Sequence, residues 1–157
     1  VYFAPRNPLY AFGFLLGHIL IDGMDGALAR ILKKEGNGGA FADIVLDLSA
    51  MVVFIVTLIF YGLLIPWMAA TYIYIYTLMI IFLVVRNALN IPVTYVIHSK
   101  YMMYGLYGVL AIWNVNYLNL GLAIFSVLMA PVVISSYLKI KYHLSQKNIH
   151  TKKKRYR

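Results

Sequence analysis

The sequence predicts an all-α protein, a polytopic bundle of transmembrane helices with five spans, and three observations carry that expectation. Of 157 residues 62% are hydrophobic and only 12% are charged, against about 25% charged in an ordinary soluble domain. The mean hydropathy is +0.78, with the apolar residues gathered into runs close to the roughly 20 residues that a spanning helix needs. The basic residues fall between those runs in an alternating pattern, as the positive-inside rule requires of successive loops. There is no cysteine, so disulfides and Cys-ligated metals are excluded.

The first run extends from about Pro8 to Leu32, opening behind Pro5 and Pro8 and closing at Lys33, Lys34 and Gly36-Asn37-Gly38-Gly39. A second run covers Ala40 to Leu64 and ends before Pro66. The third, Trp67 to Val85, stops near Arg86, Asn87 and Asn90. A polar stretch with Pro92, His98, Ser99 and Lys100 precedes a fourth run to Trp113, whose start the sequence leaves open. The fifth runs from Leu118 to Leu138, with Pro131 expected to kink it and Ser135 and Ser136 placed to bond freed carbonyls. Within the third run, Tyr72-Ile73-Tyr74-Ile75-Tyr76 alternates as a strand would. An unpaired strand in lipid leaves its backbone unsatisfied, so the helix is expected there too. Trp67 and Tyr72 at one turn and Trp113 and Tyr117 at another fit an interfacial aromatic belt. Gly105 and Gly108 read as packing residues.

The net charge of +9 does not describe a nucleic-acid surface. Eight of the 14 Lys and Arg lie in residues 139–157, behind the last apolar run, where they read as a topology signal or a contact with anionic lipid. Two regions follow: a transmembrane bundle, 1–138, and a basic cytoplasmic tail, 139–157. Lys33, Lys34, Arg86 and Lys100 mark the same side as the tail, and the turns near Pro66 and Asn114 carry no basic residue. The N-terminus is then outside, unless a further span precedes Val1. No basic n-region with a cleavage site marks the start as a signal peptide.

The five acidic residues, Asp22, Asp25, Glu35, Asp43 and Asp47, all lie between positions 22 and 47. Four of them are inside apolar helical runs, where an ionised carboxylate is costly and function is the default expectation. Asp22 and Asp25 are spaced i, i+3 with Gly26 and Ala29 on the same face, and Asp43 and Asp47 are spaced i, i+4 with Gly39 behind them. A short Gly-rich connection makes these helices antiparallel neighbours, so the four carboxylates are expected to converge near the cytoplasmic end. Such a cluster repels itself unless a cation compensates, and all-oxygen ligands suit one or two Mg²⁺ or Mn²⁺ ions rather than zinc. Metal-bound carboxylates suit a substrate diphosphate, and the small residues leave a slot beside it. Arg30 reads either as a phosphate clamp or as an interfacial residue that snorkels.

The segment Asp22-Gly-Met-Asp25-Gly26-Ala-Leu-Ala29-Arg30, eight residues, Gly39, three residues, Asp43, three residues, Asp47 resembles the signature of the CDP-alcohol phosphatidyltransferases, with every fixed position filled. The resemblance implies a six-helix bundle, here with its first helix missing, that cleaves the diphosphate of a CDP-linked substrate, transfers the phosphoalcohol part to a hydroxyl and releases CMP. It further implies that Asp22, Asp25 and Asp43 hold the metal, that Asp47 is the general base and a possible fourth ligand, and that Gly26, Ala29, Arg30 and Gly39 line the CDP site. A homodimer is implied by the resemblance alone. Two branches stay open: CDP-diacylglycerol as donor to a small polar alcohol, favoured by size, or a soluble CDP-alcohol, of the choline or ethanolamine type, as donor to diacylglycerol. Arg86 and Lys100 fit either a phosphate on the acceptor or plain topology. The rival from another class is a divalent-cation transporter, disfavoured because the outer halves of the helices carry no matching charge.

Asp47→Asn is expected to abolish turnover while CDP-substrate binding, measured by calorimetry, stays largely intact. Equal loss of binding would make Asp47 chiefly a metal ligand.

Overall fold

The computed structural model describes the backbone of residues 7–31, 37–93 and 99–155 and, within these, the side chains of all but 22–23, 25–31, 37–42 and 147–155. Among the described residues there are five helices and no strand: α1 (Pro8–Ile31), α2 (Asn37–Phe60), α3 (Pro66–Ala88), α4 (Ser99–Trp113) and α5 (Leu118–Arg155). Asp43–Phe60, Pro66–Ala88 and Leu118–Gln146 are long and apolar enough to cross a membrane, and Pro8–Ile21 is a shorter apolar segment. The 15 residues of α4 extend about 22 Å, less than the roughly 30 Å of bilayer hydrocarbon.

Helix ends differ from the apolar runs where backbone geometry overrides hydropathy. α2 stops at Phe60, not Leu64, because Gly62 takes φ +69°. Gly62 N–H then bonds Ile59 O at 2.9 Å and Leu63 N–H bonds Leu58 O at 2.9 Å, a Schellman closure. α3 closes in the same way on Asn90 at φ 54°, with Ile91 N–H on Arg86 O at 2.8 Å. Asn114, at φ 55°, ends α4 through a bond to Leu110 O at 2.9 Å. Gly38 and Gly39 lie inside α2 rather than breaking the chain before it. The fifth helix does not end with its apolar run at Leu138 but continues to Arg155, unbroken through Pro131. Ser135 bonds Val132 O at 3.1 Å, whereas Ser136 serves α3.

Packing joins α1 to α4, α4 to α5, α5 to α3 and α3 to α2, the α3–α5 contact being the most extensive. The turns at one end are tied by two bonds: Asn119 Oδ1 accepts from Ile65 N–H at 2.8 Å, and Asn116 Nδ2 donates to Leu63 O at 2.9 Å. Tyr72 and Tyr76, one turn apart on α3, stack at 5.8 Å, which is how the alternating tyrosines fit a helix. Tyr72 is fully buried, so it belongs to the core and not to the aromatic belt. Trp67, Trp113 and Tyr117 are exposed, as belt residues should be. Phe54 of α2 sits edge-on to Tyr104 and Tyr107 of α4, at 5.1 and 5.7 Å.

The ring of Phe12 from α1 stands where a Cβ on Gly108 would lie, so this glycine lets α1 and α4 meet. Gly108→Leu is expected to cost about 2 kcal/mol by overpacking. A lowered Tm in detergent, partly recovered by adding Phe12→Ala, would show it.

Candidate active site

Three buried stripes end in charge at the same end of the bundle. On α2 the stripe Leu58, Ile55, Met51 is continued one turn further by Asp47; on α3 Tyr72, Tyr76 and Met79 are continued by buried Arg86; on α4 Tyr107, Tyr104 and Met103 are continued by buried Lys100. Apart from the adjacent Tyr104 and Met103, each step is three, four or seven residues, the spacing of one helical face. Asp47 lies about 20 Å along α2 from Phe60, and Lys100 about 20 Å along α4 from Trp113, counting 1.5 Å per residue. The two helices therefore bring an acid and a base to the same depth, about 10 Å inside the level of Arg86.

There the Lys100 ammonium meets Asp47 Oδ2 at 2.5 Å, with only 9% of the lysine and 28% of the aspartate side chain exposed. A buried ammonium is costly without a counter-charge, and α4 carries no acid among its described residues. Asp47, from α2, supplies the missing negative charge. The ammonium also lies over the Tyr101 ring, 4.9 Å from its centroid. Ser99 anchors the neighbouring residue: its Oγ shares a hydrogen bond with Tyr72 Oη at 2.9 Å and reaches Met129 Sδ at 3.6 Å. α3 and α5 thus set the position of Lys100. Asp43, one turn from Asp47, is exposed.

Arg86 occupies the last turn of α3, where its charge suits the dipole. Nη1 donates to Ser136 Oγ of α5 at 3.0 Å, and Nη2 donates to Pro92 O, which the turn at Asn90 brings back over the helix. Nε is buried with no hydrogen-bond partner among the described residues. Neither Arg86 nor Lys100 is a loop residue, and burial of both means that solvent-exposed topology does not account for their positions. Asp22, Asp25, Gly26, Ala29 and Arg30 are carried by α1 and Gly39 by α2, while their surroundings, and with them the convergence of the four aspartates, lie outside the described residues.

Ser99 and Tyr101 carried no role in the reading of the sequence, and Tyr72 and Ser136 were expected elsewhere, in the aromatic belt and on carbonyls freed by Pro131. A signal existed for their charged partners: Arg86 falls seven residues from Met79 and fourteen from Tyr72, and Lys100 four and seven from Tyr104 and Tyr107, which puts both on the buried faces.

A family model described as CDP-alcohol phosphatidyltransferase matches residues 1–138. No curated protein and no solved structure matches the chain.

Arg86→Lys is expected to lower Tm in detergent, because a point ammonium does not reproduce the fork between Ser136 and Pro92. Each hydrogen bond from a charged group is worth about 2 kcal/mol, so Ser136→Ala is expected to cost less than Arg86→Lys. An Arg86→Lys protein as stable as the parent would remove the structural role.

Proposed function

This chain belongs to the CDP-alcohol phosphatidyltransferase family, membrane phosphotransferases that act on CDP-linked alcohols, and from that premise we propose that it moves a phosphatidyl group from CDP-diacylglycerol to the hydroxyl of a small polar alcohol, releasing CMP. The observation that carries the reading is Asp47, a carboxylate on the helix of the aspartate motif, held by a cation at 2.5 Å at a depth where a lone charge is costly.

Family members depend on divalent metal, and the donor set suits it. The carboxylates of Asp22, Asp25, Asp43 and Asp47 are hard oxygen ligands fitted to one or two Mg²⁺ or Mn²⁺ ions. Asp47 already faces a cation, the Lys100 ammonium. When bound, the metal neutralises the diphosphate and its leaving group. Asp47 takes the proton of the acceptor hydroxyl as that oxygen attacks the phosphorus next to the diacylglycerol, and the bond to the CMP oxygen breaks. Gly26, Ala29, Arg30 and Gly39 are the residues assigned to the nucleotide. Arg86, through its unpaired Nε, and Lys100 are assigned to a phosphate on the acceptor. The positive-inside rule makes the Asp47 end of the bundle cytoplasmic, where the soluble reactant and CMP are found.

The test is CMP release by the full-length protein in detergent with CDP-diacylglycerol, Mg²⁺ and a panel of alcohols with and without a phosphate. CMP formed with one acceptor class and abolished by EDTA is the expected result. CMP formed only from a soluble CDP-alcohol with diacylglycerol would reverse donor and acceptor. Absence of CMP from every pair, with Mn²⁺ flux into liposomes, would make the aspartates an ion path.

A further inference from the structure

α4 carries glycines at 105 and 108, and the bundle treats them oppositely. Gly108 is covered by the Phe12 ring, whereas none of the described residues lies within 4 Å of a Cβ placed on Gly105. Gly105 opens on a groove of about 620 Å³ between α4 and α5, walled by Tyr101, Met102 and Leu106 on one side and by Leu120, Ile124 and Phe125 on the other. The walls are hydrocarbon and aromatic, and Met102, Leu120 and Ile124 are exposed along the rim. In a membrane such a groove is filled by hydrocarbon, because its walls offer water no partners.

One end of the groove touches the candidate site. The Tyr101 ring that helps line it lies beneath the Lys100 ammonium, and that ammonium holds Asp47. From Tyr101 the groove follows α4 toward Tyr117 at the opposite turn, a path of roughly 18 Å. Resting on the reading of the chain as an enzyme with a diacylglycerol-based substrate, we propose that this groove seats one acyl chain of that lipid, its ester end beside Tyr101 and its methyl end toward Leu120. The continuity from Asp47 through Lys100 to the groove wall singles out a substrate chain over a second copy of the protein, whose docking would need no link to the carboxylate. Both family branches use such a lipid, so the site serves either direction of transfer. A chain that leaves bulk lipid for this groove exchanges one apolar surrounding for another. The groove therefore acts by shape, positioning the reacting phosphate rather than adding affinity.

Gly105→Leu tests this with little risk to folding, since the new side chain enters open space and a helix favours Leu over Gly. With CDP-dioleoylglycerol, kcat/KM is expected to fall about tenfold or more through misplacement of the reacting group, while CDP-dibutyrylglycerol, whose chains stop short of Gly105 about 6 Å from Tyr101, is used at the parental rate. Equal loss with both donors, no loss with either, or a changed mass by light scattering without chain-length discrimination would overturn the proposal. A measurement free of turnover accompanies it: photolysis of CDP-diacylglycerol bearing a diazirine near one chain end. Labelling concentrated in the α4 and α5 peptides that line the groove, and lost in Gly105→Leu, supports the site; labelling spread over all helices contradicts it. Focused labelling by a protein that releases no CMP would sink the enzymatic reading and leave the acyl-chain site standing.

Discussion

A charge pair at the depth of bilayer hydrocarbon is the constraint on which the bundle depends. Either member of Asp47–Lys100 alone would be expensive there, and a buried pair repays its desolvation only when its geometry is held. That requirement explains otherwise arbitrary features. Ser99, next to Lys100 on α4, is gripped by Tyr72 from α3 and Met129 from α5. Phe54 wedged between Tyr104 and Tyr107 keeps α2 and α4 in register two turns away. Loss of that register would separate the charges.

The two ends of the molecule divide the work. At one end, Asn116 and Asn119 tie adjacent turns with neutral hydrogen bonds, and the exposed Trp67 and Trp113 meet the interface. At the other, three core stripes end in Asp47, Arg86 and Lys100, each anchored by a different helix. The Arg86 fork to Ser136 and Pro92 ties α3 to α5 and to its own outgoing turn, about 10 Å outside the level of the Asp47–Lys100 pair. α5 then carries the basic residues beyond the bundle as continuous helix, so the positive charge that looked like a separate tail grows directly from the core.

The number and order of helices were legible in the sequence because long apolar runs admit few other structures in lipid. Their ends were less so. Tyr61-Gly62-Leu63-Leu64 is as apolar as a helix, and only the left-handed conformation at Gly62 marks the stop; Lys139 to Arg155 is polar yet helical, since charge ends an apolar run without ending a helix. The aspartate motif was legible at the level of family, because eight residue types at fixed spacing seldom coincide by chance. Lys100 as partner of Asp47 was not, since 53 residues separate them and they meet only because α2 and α4 are brought within side-chain reach of each other in the folded bundle. Tyr72 misled for the same reason: a tyrosine near a turn suits a belt and a core equally until its neighbours are known.

The central claim is that the carboxylates around Asp47 form a divalent-metal site for a CDP-linked lipid. Electron paramagnetic resonance of Mn²⁺ titrated into the purified full-length protein tests it most directly. The expected result is saturable binding displaced by Mg²⁺, retained in the parent and lost in Asp43→Asn, a variant that leaves the Asp47–Lys100 pair in place. Mn²⁺ binding of unchanged affinity in Asp43→Asn, or none in the parent with CDP-diacylglycerol present, would contradict it.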